Sequence, residues 1–400
     1  MKTINISVAR HLNYENIPRI YHELAKDTFK SLDTTFVIDE IPWDELWHFA
    51  HTKAITKTGF DVSEVGNTWL GSLADADSLR VIPETFIRET DAPQMISEVA
   101  WKGIGPRKEN GVVSWPFMVD IRMIYYWRDH LSRAGIDETD AFSSPERIHE
   151  TLAKLRAVGL PGWGAPTFHN NNTLYNISSW VWSTGKDYLA QDGKRTQFCD
   201  DSVLESMAAY FRLARYMNGP FNTEVDLIRA FSEKRISVMM SGPWLWNELF
   251  HERLPAVDLS NVAVAMPPGP PFLGGSTLVI WNHANPDIVD EALAFFTLLT
   301  SFKPQATLFE IKGLLPVNQG VLKRPPFTSD ANFKRMTELV EKGRYLSPSP
   351  IWGHLESSLI RVFGLVWAAL KENGYNMSLD LLRRHLEPLA KRFDRMADMF

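Results

Sequence analysis

The chain has 400 residues, a net charge of −6, 44% hydrophobic and 22% charged residues. That is ordinary globular composition, with length for about two or three domains. No basic stretch stands out, which argues against a nucleic-acid partner, and the single cysteine, Cys199, excludes an internal disulfide and a thiolate-built metal site.

Aromatics are the unusual feature: 14 Trp, 23 Phe and 10 Tyr. Such rings fill cores, but they also make flat platforms for sugars, bases and other ring-shaped ligands.

The start, "MKTINISVARH", is interrupted by Asn5, Arg10 and His11 and lacks the apolar centre of a signal peptide. It reads as a cytoplasmic chain, or as one whose signal has been removed and a starting Met supplied. No apolar run reaches the roughly 18 residues that span a bilayer.

Residues 3–9 alternate as a strand and residues 14–30 have helical spacing. "TTFVIDEI" (34–41) predicts a second strand, 44–56 a helix and 60–65 a third strand. Strands alternating with helices predict a mostly parallel α/β sheet. Further helices are expected over 122–134, 145–157, 172–183, 201–217 and 224–233, with short strands at 111–119, 235–240 and 261–265. "MPPGPPFLGGSTLVI" (266–280) carries four Pro and three Gly in its first ten residues, a strong break before another strand. A helix over 286–302 follows, and 329–400 reads as helical apart from 345–353.

Catalytic motifs are lacking. The sequence has no Walker loop, no G-x-S-x-G elbow and no H-E-x-x-H. "GLPGWG" (159–164) has the wrong spacing for a dinucleotide loop and reads as a turn. His48 and His51, three apart on a predicted helix, have no ligand pattern around them and read as a solvated face, so no metal is expected. No pair of carboxylates recommends itself for glycoside hydrolysis.

What recurs is aromatic and polar residues together at turns and element ends. In an α/β sheet, ligands bind beyond the carboxyl ends of the strands. Asn67, Thr68 and Trp69 in "GNTWLG" follow the third strand and are candidates, although Trp69 could equally be a core residue behind a helix cap. Asp120 lies in the apolar run "SWPFMVDIRMIYYW" (114–127) and must be paired or serve a ligand; Arg122 is the partner at hand. "NNNTLYNISSWVW" (170–182) clusters amides with Tyr175, Trp180 and Trp182. In "SGPWLWNEL" (241–249) the two indoles would point about 200° apart on a helix. Gly242 and Pro243 would end a strand and open that helix, Trp244 would face a ligand and Trp246 would turn into the core.

The order of these motifs resembles the extracellular solute-binding proteins of ABC importers, in the family that includes maltose-binding protein. "GFDVSEVGNTW" resembles the family's G-P-D-V strand, with Phe60 for the Pro. "WPFMVDIRMIYYWRDHLSRAGID" (115–137), "FSEKRISVMMSGPWLW" (231–246, with Glu233 where Gly is usual), "FLGGSTLVIWNHANPDIVDEALAFFTLLTS" and "GLLPVNQGVL" resemble its later segments. The resemblance covers almost the whole chain.

It implies a two-lobed periplasmic-binding fold, each lobe a mostly parallel sheet flanked by helices around a ligand cleft. Lobe one would hold 1–117 and 276–318, and lobe two 118–272 and 324–400. Hinge segments would lie near 116–121, 271–276 and 318–325. The resemblance places a hydroxyl-binding carboxylate at Asp120 and stacking rings at Tyr175 and Trp244. It puts Asn67, Thr68 and Trp69 on the ligand-facing loop. Trp43, Trp180, Trp352, Gly242, Gly275, Arg10, His11 and Asn13 complete the expected binding set.

The implied function is capture of a mono- or oligosaccharide by hinge closure and delivery to a membrane permease. The protein would be a monomer outside the cytoplasm, with no cofactor and no chemistry on the ligand. Alternatives are a polyol, sugar phosphate, glycerol phosphodiester or peptide-like ligand on the same fold, or a carbohydrate-active enzyme.

Overall fold

The computed structural model describes residues 2–10, 17–167, 171–191, 193, 195–251 and 258–397. In chain order the main elements begin with β1 (Lys2–Arg10), α1 (Ile17–Leu32), β2 (Thr34–Pro42), α2 (Trp43–Thr56) and β3 (Val62–Gly66). There follow β4 (Trp115–Ile121), β5 (Met123–Trp127), α3 (Pro145–Ala157), β6 (Trp163–Gly164), α4 (Asn172–Ser183) and α5 (Asp201–Arg212). Next come α6 (Glu224–Ser232), β7 (Val238–Ser241), α7 (Pro243–Phe250), β8 (Val262–Ala265) and β9 (Phe272–Ile280). The chain closes with α8 (Val289–Leu299), α9 (Phe302–Lys312), β10 (Leu315–Pro316), α10 (Ala331–Val340), α11 (Trp352–Glu372) and α12 (Leu379–Ala397).

One element differs in kind from the sequence reading. The helix expected over 122–134 is a strand, β5, followed by a short helix, Arg128–Arg133. All five residues of "MIYYW" are buried, between β7 and β8 as antiparallel neighbours. A strand covered on both faces shows no alternation, so periodicity cannot separate it from a buried helix. The helix expected over 286–302 is a turn of 3-10 helix, Pro286–Ile288, followed by α8, and the chain breaks at Thr300–Ser301 before α9.

The chain divides into two compact units. Unit 1 is Met1–Asp120, Leu273–Thr337 and Tyr345–Gly353; unit 2 is Ile121–Phe272, Glu338–Arg344 and His354–Phe400. Residues 324–337, expected with the second lobe, thus fall in unit 1, as does segment 318–325. There Asn318 caps the helix Gln319–Leu322, its side chain accepting from the N–H groups of Gly320 and Val321.

The sheet of unit 1 runs in the order β10-β4-β9-β3-β1-β2. β1 is parallel to both β2 and β3, whereas β9 is antiparallel to β3 and β10 to β4. The chain passes from β1 through α1 to β2 on one side, then through α2 to β3 on the other side of β1. The point between β1 and β3 is therefore the topological switch, where open α/β sheets form their ligand crevices. Leu46, Ala50 and Ala54 of α2 pack with Val65, Trp69, Leu73, Val279 and Trp281 into one buried cluster.

In unit 2 the sheet order is β8-β5-β7-β6. Only the β7–β6 pair is parallel. The sheets are thus mixed, and parallel pairing is concentrated where helices α1 and α2 connect the strands of unit 1. Around the unit 2 sheet the core is aromatic: Trp127 stacks on Phe231 at 5.2 Å, and Phe211 meets Trp367 edge-on at 5.0 Å. Ser144 caps α3 by accepting the Arg147 N–H, with Pro145 in the first turn, and Thr223 caps α6 by accepting from Asp226.

Candidate solute-binding residues

In unit 1, β3 ends at Gly66 and the chain tightens into a 3-10 turn, Asn67–Trp69. Asn67 and Thr68 line a small cavity with Lys102, Gly103, Gly105, Tyr345, Leu346 and Pro348. Trp69 turns the other way. It is 3% exposed, lies in the core cluster, and meets Trp43 and Trp47 at 5.5 and 5.6 Å. Of the two readings open for Trp69, the structure puts it in the core. Trp43, the first residue of α2, is half-buried against it.

Asp120, at the end of β4, is buried. Its charge is felt at Tyr345, whose phenol is pushed up chiefly by burial and further by the Asp120 carboxylate. Tyr345 in turn lies against Gly103, where an added Cβ would stand 2.8 Å from its ring. Tyr345 thus lines the small cavity with Asn67 and Thr68 and feels the charge of Asp120. Gly275 explains itself by backbone: at φ +121 an added Cβ would come within 2.1 Å of the Met118 carbonyl oxygen. Arg10 is exposed at the end of β1, while His11 and Asn13 lie outside the described residues. Trp352 is buried at the start of α11.

In unit 2, Trp244 and Trp246 separate as the helical period requires. Trp246 is 1% exposed, whereas Trp244 is only half-buried. The Trp244 indole rests where a side chain at 242 would be: a Cβ on Gly242 would stand 1.9 Å from its ring. Glycine is therefore required at that N-cap by its neighbour, not by its own φ of −90. The Tyr125 hydroxyl fixes the same residue by donating to the Gly242 carbonyl at 2.8 Å.

The Arg122 guanidinium lies over the Trp244 ring, 4.4 Å from its centre, and 5.3 Å from that of Tyr175. Asn172 accepts from Arg122 at 2.7 Å and donates to Glu224 at 2.7 Å. Glu224 accepts the Trp244 indole N–H at 3.2 Å. The result is one connected chain, Arg122–Asn172–Glu224–Trp244, around a partly open indole.

Tyr175 is 4% exposed; its ring stacks on Phe272 at 4.4 Å and its hydroxyl donates to Glu356 at 2.7 Å. Trp180 was expected at the ligand, but it is 1% exposed and packs edge-on against Tyr210 at 5.0 Å. Its position on α4 faces α5, so it belongs to the core.

The sequence reading did not single out Arg122, Asn172 and Glu224 as a set. Arg122 entered only as a partner for Asp120. Asn172 was one of a cluster of amides, and Glu224 was not singled out within the helix expected over 224–233. Among the described residues no group of three or more His, Cys, Asp or Glu is placed to hold a metal ion. None of their helices is long and apolar enough to cross a membrane.

The family model described as "Bacterial extracellular solute-binding protein" matches residues 21–335. The chain belongs to this family. The solute-binding protein's fold is shared by solved structures at low sequence identity. Maltose-bound MalE3 of T. maritima superposes with a TM-score of 0.79 at 17% identity, covering 99% of this chain and 100% of that one. An ABC transporter solute-binding protein from Thermotoga lettingae, bound with α-D-tagatose, gives 0.78 at 18%, covering 98% and 100%. One from Agrobacterium vitis, with bound D-mannitol, gives 0.78 at 15%, covering 100% and 99%. These establish the two-lobed solute-binding fold for the chain. Comparison with curated proteins returns no match.

Proposed function

We propose that this solute-binding protein captures a carbohydrate or a related polyol outside the cytoplasm and delivers it to the membrane permease of an ABC importer, without chemistry on the solute. The observation that carries the reading is Trp244. A half-buried indole is flanked by a cation, Arg122, at its face and a carboxylate, Glu224, at its edge. A sugar presents apolar C–H surface for a ring and hydroxyls for charged or amide partners. The solved relatives bound to maltose, tagatose and mannitol support the same class of ligand. The contacts proposed from unit 2 are Trp244, Arg122 and Glu224.

Titration calorimetry with maltose, D-tagatose, D-mannitol and ribitol is expected to give micromolar or tighter binding of at least one, with the solute recovered unchanged. No binding across this panel and a broader set of sugars, or release of a product, would sink the reading. Trp244→Ala should weaken the tightest of these complexes by about 1–3 kcal/mol, scaling from base–aromatic stacking. Its far-ultraviolet circular dichroism should stay native, and unchanged affinity would remove Trp244 from the site.

A further inference from the structure

Two buried charges lie at the root of the unit 1 loops. Lys312, the last residue of α9, and Glu64, in the middle of β3, are both 0% exposed and pair at 2.6 Å. Glu64 also accepts the Ala9 N–H at 2.9 Å and the Ser276 hydroxyl at 2.7 Å. Lys312 donates to the Ala9 carbonyl at 3.2 Å, with the rings of Phe117 and Tyr21 at 5.4 and 5.8 Å. Burial pulls its ammonium group down, and the charge of Glu64 acts against that shift.

What the pair does is visible in the strand register. β1 stays paired with β2 along its whole length, from Lys2↔Thr34 to Arg10↔Pro42. Its ladder with β3 holds only Ile6↔Val62 and Ser7↔Ser63. Two residues on, the N–H and C=O of Ala9 go to side chains, those of Glu64 and Lys312. The two strands part at the topological switch point, and the ion pair fills the gap. Arg10, one residue after Ala9, ends β1 still paired with Pro42, and Asn67 leaves the sheet three residues after Glu64. A buried ion pair is weak grounds for stability, since apolar residues of similar volume often serve as well or better. Bonding the Ala9 N–H and C=O where β3 no longer reaches them is a task that an apolar pair cannot perform.

We propose that Glu64 and Lys312 are positioning residues, a wedge that sets where the solute-binding turn Asn67–Trp69 leaves the sheet. The affinity readout of this proposal rests on the carbohydrate reading above; the exchange readout does not. Two double variants test it. Glu64→Val with Lys312→Met lets the strands close, while Glu64→Gln with Lys312→Gln keeps hydrogen-bonding groups at both positions.

In the folded apolar pair, amides of Asn67–Leu70 should exchange at least tenfold faster than in the native protein. Its affinity for the tightest-binding member of the four-solute panel should fall at least tenfold. The polar pair should stay within threefold on both. A folded apolar pair with native exchange or native affinity overturns the proposal, as does a folded polar pair whose Asn67–Leu70 amides exchange more than tenfold faster. The latter result decides alone should the apolar pair not fold. If the native protein binds none of the panel, the carbohydrate reading fails and the exchange rates still judge the wedge.

Discussion

Trp246→Ala is expected to destabilise unit 2 by about 3–5 kcal/mol, the usual cost of emptying a buried tryptophan site. Trp246 is 1% exposed and lies on α7 two residues after Trp244. That spacing turns its indole into the core while the other stays half-open. Urea unfolding followed by amide exchange at unit 2 strands β5 and β7 is the measurement. At temperatures where the variant remains folded, solute affinity should stay within about threefold, roughly 0.6 kcal/mol by the affinity relation. The opposite pattern, native stability with lost affinity, would reverse the roles given to the two tryptophans.

That the two indoles point apart and differ in burial was legible in the sequence, because a helix imposes it on any two residues so spaced. So was the opening strand–helix–strand–helix–strand order, since β1, α1, β2 and α2 each carry their own local pattern. Legibility failed where the signal is not local. "MIYYW" is buried on both faces and has no period to read. Trp69 and Trp180 sit among polar residues near element ends, as a binding aromatic would, and only the packing of α2 and α5 against them shows that they are core.

The charged residues were the least legible. Glu64 in "VSEVG" reads as the outward position of a half-buried strand, and Lys312 as a solvated last-turn lysine of a helix, a position that cations favour. Their partnership spans 248 residues, so neither neighbourhood contains a trace of it. The same holds for Arg122, between β4 and β5, and for Asn172 and Glu224, the first residues of α4 and α6, which are linked only around Trp244.

Lys312→Met alone should therefore be far worse than its double variant. It leaves the Glu64 carboxylate buried at 0% exposure, with Ala9 and Ser276 as donors but without its cation. Removing one partner of a buried pair costs about 3–5 kcal/mol, because the remaining charge stays desolvated. Adding Glu64→Val to that background removes the stranded charge, so the double variant should recover most of the loss. The two single variants and the double form a thermodynamic cycle, and a coupling of at least about 2 kcal/mol is expected for groups in direct contact. Urea unfolding of the four proteins, read by amide exchange at β1 and β3, supplies the numbers. Additive losses would mean that the two side chains stabilise unit 1 separately and that the ion pair has no role of its own. A strong coupling that restores stability without restoring the spacing of β1 and β3 separates the wedge from ordinary packing, because stability returns and the Asn67–Trp69 turn remains displaced.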